Sequence, residues 1–93
     1  MKFYINTPQK DIPYDRPSSI TVEEALREID AFPTIEEFEE GFIGFENDRG
    51  ETIQFLRLEK DKWLIDMPLP EEKASLQGET TTTQTKTIIK IVS

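Results

Sequence analysis

Ninety-three residues with no cysteine and no histidine exclude disulfide staples, thiolate nucleophiles, imidazole bases and the usual nitrogen and sulfur metal ligands. Apolar content is 35% and charged content 32%, yet one Trp, two Tyr and six Phe spread along the chain argue for a small folded core rather than disorder. The net charge of −8 is concentrated: residues 23 to 51 hold eleven acids against two bases, a local net of −9, and a field of that sign disfavours nucleic-acid and membrane binding.

Lys2 to Asn6 alternates around Phe3, Tyr4 and Ile5 and reads as a short strand, stopped by Pro8 and expected to pair with strands further along. Residues 7 to 19 carry Pro8, Pro13 and Pro17 and predict a proline-ordered loop without regular structure, with Ile12 and Tyr14 as candidates to pin it to the body. Thr21 and Glu24 form a capping box, and Val22, Ala25, Leu26 and Ile29 at i, i+3, i+4 and i+7 predict a helix over 22–31 with one apolar face. Pro33 ends it, because the residue before a proline is disfavoured from helical dihedrals. A second capping box, Thr34 to Glu37, predicts a short helical turn that points Ile35 and Phe38 inward and is closed by a left-handed Gly41.

Residues 42 to 67 predict a three-strand antiparallel meander. Asn47-Asp48-Arg49-Gly50 supplies one tight turn and Glu59-Lys60-Asp61-Lys62 a second, charged break. The middle strand has Ile53 and Phe55 on one side and Leu56 and Leu58 on the other, so it is expected to be central and buried on both faces. Trp63 to Met67 follows as a strand stopped by Pro68 and Pro70, residues 71 to 73 are polar, and 74–78 is an ambiguous segment compatible with a short edge strand. At the C-terminus, Thr87, Ile89 and Ile91 fit strand alternation, and the dominance of Thr, Ile and Val predicts a final strand. Thr85, Ile88, Ile89 and Val92 equally fit one face of a Thr-capped helix that buries the same isoleucines. The expected fold is one α+β domain: an antiparallel sheet of about four or five strands covered by one amphipathic helix.

Chemistry without His or Cys rests on carboxylates, Ser, Thr, Tyr or Lys, and neither a Gly-x-Ser-x-Gly elbow nor a phosphate-cradling glycine loop is present. Neighbouring acids on a helix do not converge on one cation, and the calcium-loop ligand order is missing around Asn47 to Glu51, so no metal or cofactor is expected. Trp63 is expected beneath the helix, with a partner anchor as the alternative. Tyr14 is either a recognition residue or a plug for its loop, and Gln54 marks the exposed side of the sheet or a polar site on it. With no apolar run near the ~20 residues of a membrane helix and no leader-like start, the expected location is the cytoplasm.

The order of a helix, Phe42-Ile43-Gly44-Phe45-Glu46, a polar turn, Thr52-Ile53-Gln54-Phe55 and Trp63-Leu64-Ile65-Asp66 resembles that of small immunity proteins of bacterial polymorphic-toxin systems over residues 21 to 67. The resemblance implies a single α+β domain that neutralises a toxin by tight binding, often through an acidic surface, with no cofactor. It carries no diagnostic motif and transfers no functional residue. The expected function is therefore non-enzymatic binding of a protein with a basic surface, through Glu23, Glu24, Glu28, Glu36, Glu37, Glu39, Glu40, Asp48 and Glu51. A carboxylate-based ligand binder or enzyme, and a self-associating structural protein, are the alternatives, and the oligomeric state stays open.

Overall fold

The structure is a computed structural model that describes residues 1–69 and 74–93, so the expectations for Pro70 and for residues 71 to 73 lie outside the described residues. Among the described residues the chain forms β1 (Lys2–Asn6), β2 (Asp11–Ile12), β3 (Ser18–Ser19), α1 (Val22–Ala31), β4 (Phe42–Glu46), β5 (Thr52–Glu59), β6 (Lys62–Leu69), β7 (Ala74–Thr80) and α2 (Thr82–Val92). The sheet runs β2-β1-β4-β5-β6-β7, with β3 also on β1, and every pairing is antiparallel. The α+β class and the meander are as expected. The count is not: there are seven strands where four or five were expected, and two helices where one was.

Two of the additional strands come from the proline-rich segment. A reverse turn closed by Thr7 N–H to the Lys10 carbonyl at 2.8 Å folds Asp11 and Ile12 back onto Asn6 and Ile5. The chain then bulges through residues 13 to 17 and returns to pair Ser18 and Ser19 with Phe3 and Lys2. The prolines break this edge into two dipeptide strands without preventing pairing, because each falls outside the paired residues.

The second helix replaces the expected final strand. Thr81 is its N-cap: its hydroxyl accepts from the Gln84 N–H at 3.1 Å while Gln84 Oε1 accepts from the Thr81 N–H at 3.2 Å. This capping box and the burial of the Thr85 and Ile89 face override the β-preference of Thr and Ile, which is a weak prior beside tertiary packing. The same chemistry at Thr21 and Glu24 starts α1, which ends as Phe32 turns extended ahead of Pro33. The Thr34 segment differs from expectation. Its amide and hydroxyl both donate to Glu37 Oε1 at 3.1 Å, but the result is a hydrogen-bonded turn over residues 34 to 38 rather than a helix. Gly41 is not left-handed, and Gly50, with φ of 79° in the β4–β5 turn, is the described glycine that needs positive φ.

Both helices pack on one face of the sheet. Cross-strand rows Phe3–Phe45–Ile53 and Ile5–Ile43–Phe55–Ile65 form its floor, and Ala25, Ile29 and Ile89 close it from above. Trp63 is fully buried where the helices meet the sheet. Its ring lies 5.7 Å from Phe32 at the end of α1 and 6.5 Å from Phe55, nearly perpendicular to the latter. The indole Nε1–H donates to Thr82 Oγ1 at 2.9 Å, in the first turn of α2. Arg57 stacks on the same ring at 5.2 Å and donates through Nη1 to the Phe32 carbonyl at 2.8 Å. The β5–β6 turn joins this node, because Asp61 Oδ1 accepts from the Thr82 N–H at 3.0 Å.

β5 is central in the sheet, as expected, but it is not buried on both faces. Ile53 and Phe55 lie against the helices, whereas Leu56 and Leu58 are only half-buried because no helix lies over their side. Thr82→Val keeps the shape at Trp63 but leaves its buried indole N–H without an acceptor, so the unfolding free energy from urea denaturation should fall by about 1–3 kcal/mol. An unchanged midpoint would show that α2 is not held through this bond.

Candidate functional site

The face of the sheet away from the helices carries the polar and aromatic groups that packing does not consume. Strand alternation and register place Tyr4, Gly44, Gln54, Asp66 and Gln77 in one row across five strands. Tyr4 lies over Gly44. A Cβ at position 44 would stand 2.0 Å from the Tyr4 Cζ, so only glycine permits the ring to cross β4. That crossing carries the phenol to Gln54, where it donates to Oε1 at 3.1 Å. Tyr14 packs edge-on against the Tyr4 ring at 5.8 Å and Phe42 lies at 5.9 Å on a tilt. Tyr4 is thereby only 4% exposed, while Tyr14 is 74% exposed. Burial, then the negative charge of Asp66, push the Tyr4 hydroxyl up to about 12, with smaller contributions from Tyr14 and Glu46. The phenol is therefore a neutral donor throughout the physiological range.

Asp66 is the exceptional group of this row. Its Oδ1 is buried and receives no hydrogen bond from the described residues. Leu56 and Leu64 pair across β5 and β6 beside it, both half-buried, and Glu79 continues their row, ion-paired with Lys62 at 3.4 Å. The chemistry on offer is recognition: one hydroxyl held protonated, one carboxylate oxygen without a donor, and an apolar and aromatic surround.

The nine acids expected to bind a partner separate into two kinds. Glu24 and Glu37 accept from the backbone N–H and hydroxyl of Thr21 and Thr34, and these bonds hold both carboxyls below the usual range. Glu28 bonds Lys10, and Glu51 is held below the usual range by its bond from Asn47 and by the nearby Arg49, at 2.9 and 2.8 Å. Glu23, Glu36, Glu39, Glu40 and Asp48 are exposed and have no cationic partner among the described residues. They do not share one place. Glu36, Glu39 and Glu40 lie in the α1–β4 connection beside Asn6, whose amide donates to the Glu40 carbonyl at 3.2 Å. Asp48 lies past Glu46 at the opposite end of β4, the end from which β1 starts. Glu23 is at that same end, since the Ile20 N–H ahead of α1 bonds the Met1 carbonyl. Among the described residues no three carboxylates are grouped to hold a metal ion.

Trp63 is buried and is not a surface anchor. Tyr14 plugs its loop onto the body by packing on Tyr4 with one edge, and the rest of its ring faces solvent. Gln54 marks the side of the sheet without helices and holds the Tyr4 phenol. Sequence reasoning passed over Asp66 and Tyr4. The available signal was Asp66 itself, a lone acid among Trp63, Leu64, Ile65 and Met67. A cleft of about 430 Å³ near Pro8, Asp30, Phe32 and Pro33 contains Arg57, but Arg57 gives Nε, Nη1 and Nη2 to the carbonyls of Lys60 and Phe32, so its charge is structural.

The raised pKa of Tyr4 fixes the sign of an alkaline effect. The folded state holds this proton more tightly than the unfolded chain, so its contribution is fully present below the ordinary tyrosine value of about 10 and is lost as pH rises toward about 12. Unfolding free energy measured across pH 10 to 12 should fall more steeply for the native chain than for Tyr4→Phe. Parallel slopes would contradict the burial of the phenol.

A scan against protein-family models finds no match, and searches of curated proteins and of solved structures likewise return none. The likeness to immunity proteins rests on the order of strands and turns alone.

Proposed function

We propose that this protein is a cytoplasmic, non-enzymatic binding module, immunity-like in kind, that engages a protein with a basic surface and needs no cofactor. The observation that carries this reading is the set of exposed carboxylates at Glu23, Glu36, Glu39, Glu40 and Asp48 that have no cationic partner among the described residues, in a chain of net charge −8. Unpaired charges of one sign add up to a field that steers an oppositely charged partner and raises its association rate. Because those groups are solvated, the field is screened over about 8–10 Å at ordinary ionic strength. The capping carboxylates of Glu24 and Glu37 belong to the helix and turn starts and contribute background charge only. No described helix is long and apolar enough to cross a membrane.

Affinity capture from lysate of the source cells tests this reading. A partner should be retained at low ionic strength and released by salt. Its association rate should drop by about tenfold when Glu36, Glu39 and Glu40 are all replaced by Gln, substitutions that break no described side-chain bond. Capture of nothing at low ionic strength would contradict the proposal.

A further inference from the structure

We infer that the sheet face around Asp66 is the docking surface, and that its occupant is a protein partner that seats an arginine side chain against the Asp66 carboxylate. This rests on the reading that the protein engages a basic partner, and it moves the point of engagement from the acidic loops to the sheet.

Three features of the site lead to an arginine. The first is the unsatisfied acceptor. A buried carboxylate oxygen without a donor is costly, and such groups are uncommon in folded proteins. Among the described residues the candidate donors are engaged elsewhere or stand aside. The Tyr4 phenol spends its single proton on Gln54, Gln54 and Gln77 flank Asp66 across β5 and β7 without donating to Oδ1, and Lys62, four residues back along β6, is paired with Glu79. A donor from outside, met by the Asp66 side chain turning Oδ1 toward it, removes the penalty, and a cationic donor adds charge complementarity.

The second is the surround. Leu56 and Leu64 lie beside Asp66, and Tyr14 and Phe42 lie further along the face around Tyr4. An ammonium is strongly hydrated and gains little from such walls. A guanidinium is planar and weakly hydrated, lies flat on apolar and aromatic groups, and offers paired donors that match a carboxylate. A charged contact beside half-buried leucines, with aromatics further along the same face, is the arrangement from which interface hot spots are built.

The third is the overall charge. The net of −8 draws a basic partner toward any face of the protein, but it cannot orient one, whereas a carboxylate set among Leu56, Leu64, Gln54 and Gln77 can. The exposed acids then act on approach and Asp66 acts in the bound state.

The probe is N-acetyl-arginine methylamide, titrated into the full chain while the methyl signals of Leu56 and Leu64 and the Asp66 carboxyl carbon are followed by NMR. These signals should move together and saturate, and the lysine analogue should bind several-fold more weakly. Asp66→Asn should weaken arginine binding by at least about tenfold. Gln77→Lys, at an exposed edge position that does not touch the core, should place an internal cation beside Asp66 and abolish it. Melting midpoints identify any variant that fails to fold, and Gln77→Lys keeps the test open if Asp66→Asn does fail. Equal affinity in the native chain and in either folded variant would overturn the inference, as would shifts confined to residues 36 to 40. A captured partner indifferent to Asp66→Asn but lost on replacing Glu36, Glu39 and Glu40 would overturn this site and leave the binding module standing. Saturable seating of the arginine probe at Asp66 with no partner captured would support the site and remove the module reading.

Discussion

The structure depends on the burial of Trp63. This side chain stands at the start of β6, and its ring touches the end of one helix through Phe32 while its indole N–H is tied to the start of the other through Thr82. Arg57, directly across the ladder, covers the ring and bonds the carbonyl that α1 leaves free at Phe32. One aromatic thus ties the end of α1 to the start of α2. Large aromatic side chains bring the most apolar area per residue to a core, and truncating one fully buried costs about 3–5 kcal/mol. In a chain of this size that is a large part of the total stability.

Putting both helices on the Trp63 side leaves the opposite face of the sheet without a helix. Residues there must satisfy themselves within the strands, and most do. Tyr4 spans Gly44 to reach Gln54, Tyr14 and Phe42 wall its ring, and Lys62 and Glu79 pair across the last two strands. Asp66 is left over. Among the described residues, Asp66 Oδ1 on this face and Thr85 Oγ1 on the helix side are the buried side-chain oxygens without a hydrogen-bond partner. The helix-side residues carry most of the core, and the buried Tyr4 with its bond to Gln54 adds to it from the other side.

Much of this was legible in the sequence, and the reasons differ by element. The Thr21 capping box with its apolar stripe specified α1, and alternation with turn residues specified β1 and the meander, because those signals are local. The Thr81 to Gln84 capping box is just as local but was passed over in favour of the run of Thr and Ile, and the packing of Thr85 and Ile89 against the rest of the core decides for a helix. β2 and β3 could not be read, since two-residue strands exist only because β1 offers a free edge. Of the acidic residues, Glu24 and Glu37 were legible as capping partners of Thr21 and Thr34. Nothing in the spacing of Glu28 and Glu51 shows that Lys10 and Asn47 engage them. The row from Tyr4 to Gln77 joins five strands through register, which pattern reasoning on separate segments does not assemble.

The central claim is that the two faces of the sheet differ in kind, one consumed by packing and one available. NMR relaxation enhancement by a soluble, uncharged nitroxide measures this directly, because broadening follows the approach of solvent. The account predicts strong broadening of Tyr14 and clear broadening of the Leu56 and Leu64 methyls, with Ile5, Ile29, Ile43 and Ile89 left sharp. Leu56 and Leu64 methyls as sharp as that of Ile43 would contradict it, and would mean that the face carrying Asp66 is already covered.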